Sequence, residues 1–140
     1  MVVVNVALCS KVNEEFRNQL YVLYRTEKRS MIMKEMINDL GVGVEMIRFP
    51  KEDYMPLKDY GEWRVAVLKA CENTRLGKIS WMQKHLLTDE VFVLLDGHCT
   101  LLLAGNGELP ETVKTIAMEP HKIYNIKSGY WHNHILDEKG

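Results

Sequence analysis

The stretch from Gln83 to Gly97, QKHLLTDEVFVLLDG, constrains this chain more than any other. Successive side chains of an extended chain point to opposite faces, so Gln83 and His85 fall on one side of a strand and Lys84 on the other. Four residues separate His85 from Glu90, Val91 to Leu95 is an unbroken apolar run, and Asp96-Gly97 closes it with a turn signal. Near the C-terminus KSGYWHNH, Lys127 to His134, gives a second turn followed by His132 and His134. Two histidines and a carboxylate gathered from neighbouring strands make a metal pocket, because neutral imidazoles and a carboxylate together suit a divalent transition metal.

The surroundings of this stretch predict a mainly β protein. Ile79 to His85 alternates, with Ile79, Trp81, Gln83 and His85 on one face; Val44 to Phe49 and Trp63 to Cys71 read as further strands. Val91 to Leu95 and Thr100 to Leu103 are apolar on both faces, which predicts a second layer or another subunit over them. Gly105-Asn106-Gly107 marks a turn, and Val113 to Met118 and Ile123 to Lys127 complete the strand series. Pro50 to Tyr60 reads as an irregular loop. Many short strands joined by Gly and Pro turns fit a double-sheet jelly roll or a small barrel.

The first third reads differently. Val2 to Cys9 is either a short strand or an apolar tail. Asn13 is placed to cap a helix carrying Phe16, Leu20 and Leu23 or Tyr24 on one face, with Glu14 and Glu15 in its first turn. A second helix is expected from about Ser30, using Ile32 or Met33, Met36, Ile37 and Leu40, with Gly41 as its C-cap. The expected division is therefore an N-terminal segment over 1–42, a strand or tail plus one or two helices, and a β-barrel domain over 43–140.

Composition narrows the classes of function. At 140 residues the chain suits one modest core. Eighteen basic against 19 acidic residues leave a net charge of −1, too little field to capture nucleic acid or an anionic membrane. Cys9, Cys71 and Cys99 are odd in number and lack a Cys-x-x-Cys pair, which argues for reduced thiols over a disulfide framework or a thiolate zinc site. The apolar opening lacks a preceding basic region and falls short of the roughly 20 residues that span a bilayer, so a cytoplasmic protein is expected.

Gly77, five residues, Gln83-Lys84-His85, four residues, Glu90, six residues and Gly97 resemble the first sequence motif of the cupin superfamily, with Gln83 where a histidine usually stands. Lys127-Ser128-Gly129-Tyr130-Trp131-His132 resembles the second cupin motif, with lysine in place of proline. The two motifs span roughly Gly61 to Leu136. The resemblance implies a small single-domain protein with a cupin-type jelly-roll β-barrel and a short helical N-terminal segment. It further implies a divalent metal (Mn, Fe, Ni or Zn) held by His85, Glu90 and His132, with the Gln83 amide as a weaker fourth ligand. A first position without histidine also fits a site that has lost its metal. His134, which shares a face with His132, is a substitute ligand or a substrate contact, and Tyr124 and Trp131 are candidates to line the pocket.

Each of these residues also has a plain structural role open to it: His85 at a barrel rim, Glu90 as a turn carboxylate, His132 beside aromatic neighbours, Tyr124 and Trp131 as core packing. Cupin barrels carry isomerase, lyase and oxygenase chemistry on small polar metabolites, so the resemblance leaves the reaction open. The alternative is a non-catalytic module that binds a small ligand, or a structural subunit, without metal. Only eight residues follow His132, which predicts an incomplete barrel edge and hence a homodimer, with the N-terminal strand available to fill the gap.

Overall fold

A computed structural model of the chain describes residues 2–8, 30–49, 54–61 and 63–137. These fall into two compact units, one formed by the N-terminal strand with the residues from 54 onward and one by residues 30–49.

Among the described residues the larger unit has eight strands. Five form one antiparallel sheet in the order β4 (Met55–Tyr60), β5 (Trp63–Leu68), β1 (Val2–Leu8), β6 (Glu90–Asp96) and β9 (Ile123–Ile126). Three form another, β10 (His132–Asp137), β7 (His98–Leu103) and β8 (Lys114–Ala117). β1 is rich in β-branched residues, which suit a pleated surface. It lies between β5 and β6 of its own chain, with Val4 opposite both Val67 and Val93.

Both sheets contribute to one core. Leu68, Phe92, Leu94 and Ile126 from the first sheet and Cys99, Leu101 and Leu136 from the second cluster with Met118, and all are buried. Alternation produces this arrangement: Glu90, Phe92 and Leu94 of β6 are buried, whereas Val91 and Val93 between them are only partly covered. The layer expected over Val91–Leu95 and Thr100–Leu103 is supplied within the chain on one face only; on the other, Val91, Val93, Thr100 and Leu102 are partly covered. The protein is mainly β as expected, but the described strands make open antiparallel sheets and not one closed barrel. Among the described residues no helix is long and apolar enough to cross a membrane.

Three expectations need correction. The region read as an irregular loop up to Tyr60 contains β4. Pro56 is tolerated there because β4 is an edge strand and its pairing with β5 shifts register between Pro56 and Lys58. The helix expected through Leu40 is helical only over 30–36 and gives way to β2 (Ile37–Asp39), which pairs with β3 (Glu45–Ile47). Asp39 Oδ1 accepts the Gly41 N–H at 2.8 Å, and Gly41 and Gly43 take positive φ, so the glycines serve a hairpin turn and not a helix cap. Ile79 to His85 is no regular strand either; it touches β10 through one bridge, Gln83 with His132. The helix expected from Asn13 lies outside the described residues.

Candidate metal centre

Three segments converge on one point. Gln83 and His85 lie on the bridged segment, Glu90 opens β6, and His132 opens β10. Backbone contacts fix the approach: Gln83 and His132 exchange N–H···O bonds of 2.9 and 2.8 Å, and the Gly129 N–H donates to the His85 carbonyl at 2.6 Å. Gly129 has φ +83°, a conformation a side chain would strain, which explains the glycine of the second motif. Asp89 completes the frame. Its carboxylate accepts the Ser128 N–H and the Asn125 side-chain amide, both at 2.8 Å, and these donors, the Asn125 amide first, hold it below the usual carboxylate range.

Within this frame the ligating atoms of His85, Glu90 and His132 all lie within 4.8 Å of one another. Glu90 Oε2 is 2.6 Å from His132 Nε2 and 3.4 Å from His85 Nε2. The Gln83 side-chain nitrogen is 3.2 Å from the same His132 Nε2. Glu90 and His132 are almost fully buried, while His85 stays partly open to solvent. The hydrogen bond to Glu90 raises the His85 pKa above its ordinary value against the opposing pull of burial.

The orientation of His132 is dictated by Tyr130. Its Nδ1 is 2.9 Å from the Tyr130 carbonyl oxygen, which can only accept, so Nδ1 carries the proton. Nε2 then turns its lone pair toward Glu90 Oε2. A lone pair and a carboxylate oxygen 2.6 Å apart require a positive charge between them, either a proton or a cation. An imidazole anchored at Nδ1 by a backbone carbonyl with Nε2 facing carboxylate and imidazole partners is the donor arrangement of a histidine metal ligand. The residues present therefore fit a divalent ion held by two nitrogens and one oxygen, with Gln83 beside it.

His134 is brought near but not into this group. It shares the buried face of β10 with His132 and lies against Phe92, ring centroids 6.0 Å apart. Burial, the main cause, pushes its pKa down to about 4, so the ring is neutral at ordinary pH. Among the described residues its Nδ1 is a buried polar atom with no hydrogen-bond partner. Such an atom marks a place for a water or a ligand group.

Tyr124 and Trp131 have framework contacts. The Tyr124 hydroxyl accepts the Glu119 N–H at 2.9 Å, and its ring packs on the core. Trp131 Nε1 donates to the Gly107 carbonyl at 3.0 Å, with Lys84 Nζ 5.0 Å above the ring and itself 2.7 Å from the same carbonyl. Lys84 thus anchors, on the face opposite Gln83 and His85, the segment that carries them. His98 and His121 are exposed and stand apart from the cluster.

Sequence reasoning passed over Asp89, Lys84, the Tyr130 carbonyl and Asn133. For Asp89 a signal existed, since Thr88-Asp89 immediately precedes a strand and short polar side chains there bond nearby backbone. No protein-family model matches this chain, and no curated protein is significantly similar to it.

Proposed function

We propose that this chain is a small cupin-type protein that holds a divalent metal through His85, Glu90 and His132 and takes a small polar metabolite beside it. The observation that carries this reading is the meeting of three ligating atoms within 4.8 Å from segments far apart in sequence, with His132 turned inward by the Tyr130 carbonyl. Two facing antiparallel sheets with one shared core agree with a jelly-roll relationship.

When bound, such an ion supplies Lewis acidity toward a carbonyl or hydroxyl oxygen of the metabolite. The chain's own residues do the rest. Gln83 offers an amide N–H beside the ligand atoms, and neutral His134 offers a buried hydrogen-bonding atom one rung deeper. Phe92, against both His132 and His134, excludes water from the inner wall. Isomerase, lyase and oxygenase chemistry are all compatible with this arrangement. Location in the cytoplasm and a homodimer complete the proposal; β8 and β9 each stand at the end of a sheet among the described strands, edges a second copy can use.

A second reading is a ligand-binding or structural module without metal. It is favoured by the 2.6 Å contact of Glu90 with His132, which a single proton satisfies, and by an amide at position 83. Elemental analysis of protein purified without chelators separates the two. About one transition metal per chain, lost in His85→Ala and His132→Ala, is the expected result. Metal-free protein whose melting temperature ignores added Mn, Fe, Ni and Zn selects the second reading, since an ion that binds only the folded state must stabilise it.

A further inference from the structure

The bridge between Gln83 and His132 is antiparallel, so a regular ladder would next pair Trp81 with His134, two residues along each chain. That rung is replaced by a side chain. The His134 N–H donates to Asn133 Oδ1 at 2.7 Å, and Asn133 Nδ2 donates to the Trp81 carbonyl at 2.7 Å. The amide of Asn133 sits between the backbone donor and acceptor that would otherwise meet, and it satisfies both. Asn133 is 4% exposed although polar, and its neighbours on both sides in sequence are the two buried histidines.

A primary amide suits this place, with its acceptor and donor on two separate atoms. It presents an acceptor and a donor at once, whereas a carboxylate lacks the donor and an aliphatic side chain lacks both. The consequence concerns the site. The segment 79–85 is joined to β10 itself by one backbone pair. Beyond Gln83 it is held by the Lys84 ammonium on the Gly107 carbonyl and by the Gly129 N–H on the His85 carbonyl, and on the Trp81 side the Asn133 amide ties it to β10. We infer that Asn133 is a positioning residue: by relaying the His134 N–H to the Trp81 carbonyl it holds Gln83 over His132 Nε2 and fixes the direction from which His85 reaches Glu90. The role deepens the metal reading proposed above and rests on it for its functional consequence, not for its structural one.

The test uses the full chain in four forms: wild type, Asn133→Asp, Gln83→Leu and the double variant. Asn133→Asp keeps the acceptor for the His134 N–H and sets two oxygens against each other at Trp81, so it removes the relay alone. In metal-free protein the Gln83 and His132 amides are expected to exchange with solvent about fivefold faster or more in Asn133→Asp, while the Leu101 amide keeps its rate. Co2+ affinity, read from the visible absorbance of the loaded protein, should fall about 10- to 100-fold. In the Gln83→Leu background the same substitution should cost less, because the part of its effect that runs through Gln83 is gone and only the part through His85 is left. Equal losses in both backgrounds, or an unchanged Gln83 exchange rate, overturn the inference. If wild type takes up no Co2+, the metal reading fails, and exchange at Gln83 alone decides the positioning role. Should Asn133→Asp not fold, Asn133→Ser, which can keep one of the two bonds but not both, carries the same comparison.

Discussion

Gln83 and His132 exchange a reciprocal pair of backbone hydrogen bonds although 49 residues separate them, and their side chains meet at 3.2 Å. The backbone register alone therefore places whatever stands at position 83 against the inward nitrogen of His132. Gln83→His would put a third imidazole at that point. It should tighten Co2+ or Ni2+ binding by about tenfold or more, roughly 1.4 kcal/mol, since imidazole is a better ligand than a neutral amide. Calorimetric titration of both forms checks this, and an unchanged or weaker affinity counts against a metal centred on His132.

Glu90 neutralises the buried side of the site. In metal-free protein, Glu90→Ala leaves the lone pair of His132 without its carboxylate partner and removes the contact to His85. Stability should fall by about 1–3 kcal/mol, the usual cost of leaving a buried polar group unsatisfied. Urea unfolding in the presence of a chelator measures it. A loss below about 0.5 kcal/mol, the range of ordinary surface changes, would mean that Glu90 and His132 are not coupled.

The sign of the pH dependence follows from His85. Its folded pKa is raised by Glu90, above the ordinary value near 6.5. The folded state thus binds the proton more tightly, and this contribution is fully present below about pH 6.5 and is lost as pH rises through the higher folded value. In chelator, the melting temperature of wild type relative to His85→Gln should be greatest near pH 5.5 and should shrink toward pH 8. Metal affinity should run the other way, rising with pH, because His85 must release its proton to become a ligand.

How much of this was legible in the sequence depends on the kind of contact. Alternation and turn residues placed β6 and β7, since both depend on residues close together in the chain. The grouping of His85 and Glu90 with the distant His132 came only from the resemblance to two separate motifs, and β10, expected to be a missing edge, is present. The loop assignment for Met55–Tyr60 failed because Pro56 signals interruption, while an edge position with a register shift absorbs it. The strand over Ile79–His85 failed for another reason. Its alternation is real, but Asn133, about fifty residues away, occupies the rung a strand needs. Glycine has a similar ambiguity: Gly41 follows a helical pattern and serves a hairpin, because positive φ suits both ends equally.

The shared core assigns a definite weight to the last strand. Leu136 is fully buried in β10, opposite Cys99 of β7, and belongs to the cluster that both sheets fill. Leu136→Ala should destabilise the protein by about 2–5 kcal/mol. Ile123→Ala, at a side chain 74% exposed on β9, should change stability by less than about 0.5 kcal/mol. Denaturant unfolding of the pair checks that the C-terminal strand is an integral layer. Comparable small effects at both positions would mean that β10 does not close over the core.

Cys99 tests the same closure chemically. It is 3% exposed on β7, and burial pushes its thiol up to about 12, so the reactive thiolate is scarce at neutral pH. Cys71 is only partly covered. Under native conditions N-ethylmaleimide should modify Cys71 before Cys99 and leave Cys99 intact until the sheets separate, with peptide mass spectrometry reading each site. In urea the labelling of Cys99 should follow the global unfolding curve, because its sulfur becomes accessible only when β7 parts from the facing sheet. Rapid labelling of Cys99 in the native protein would show that the two sheets open without unfolding, and the buried Glu90–His132 pair between them would then be exposed to solvent as well.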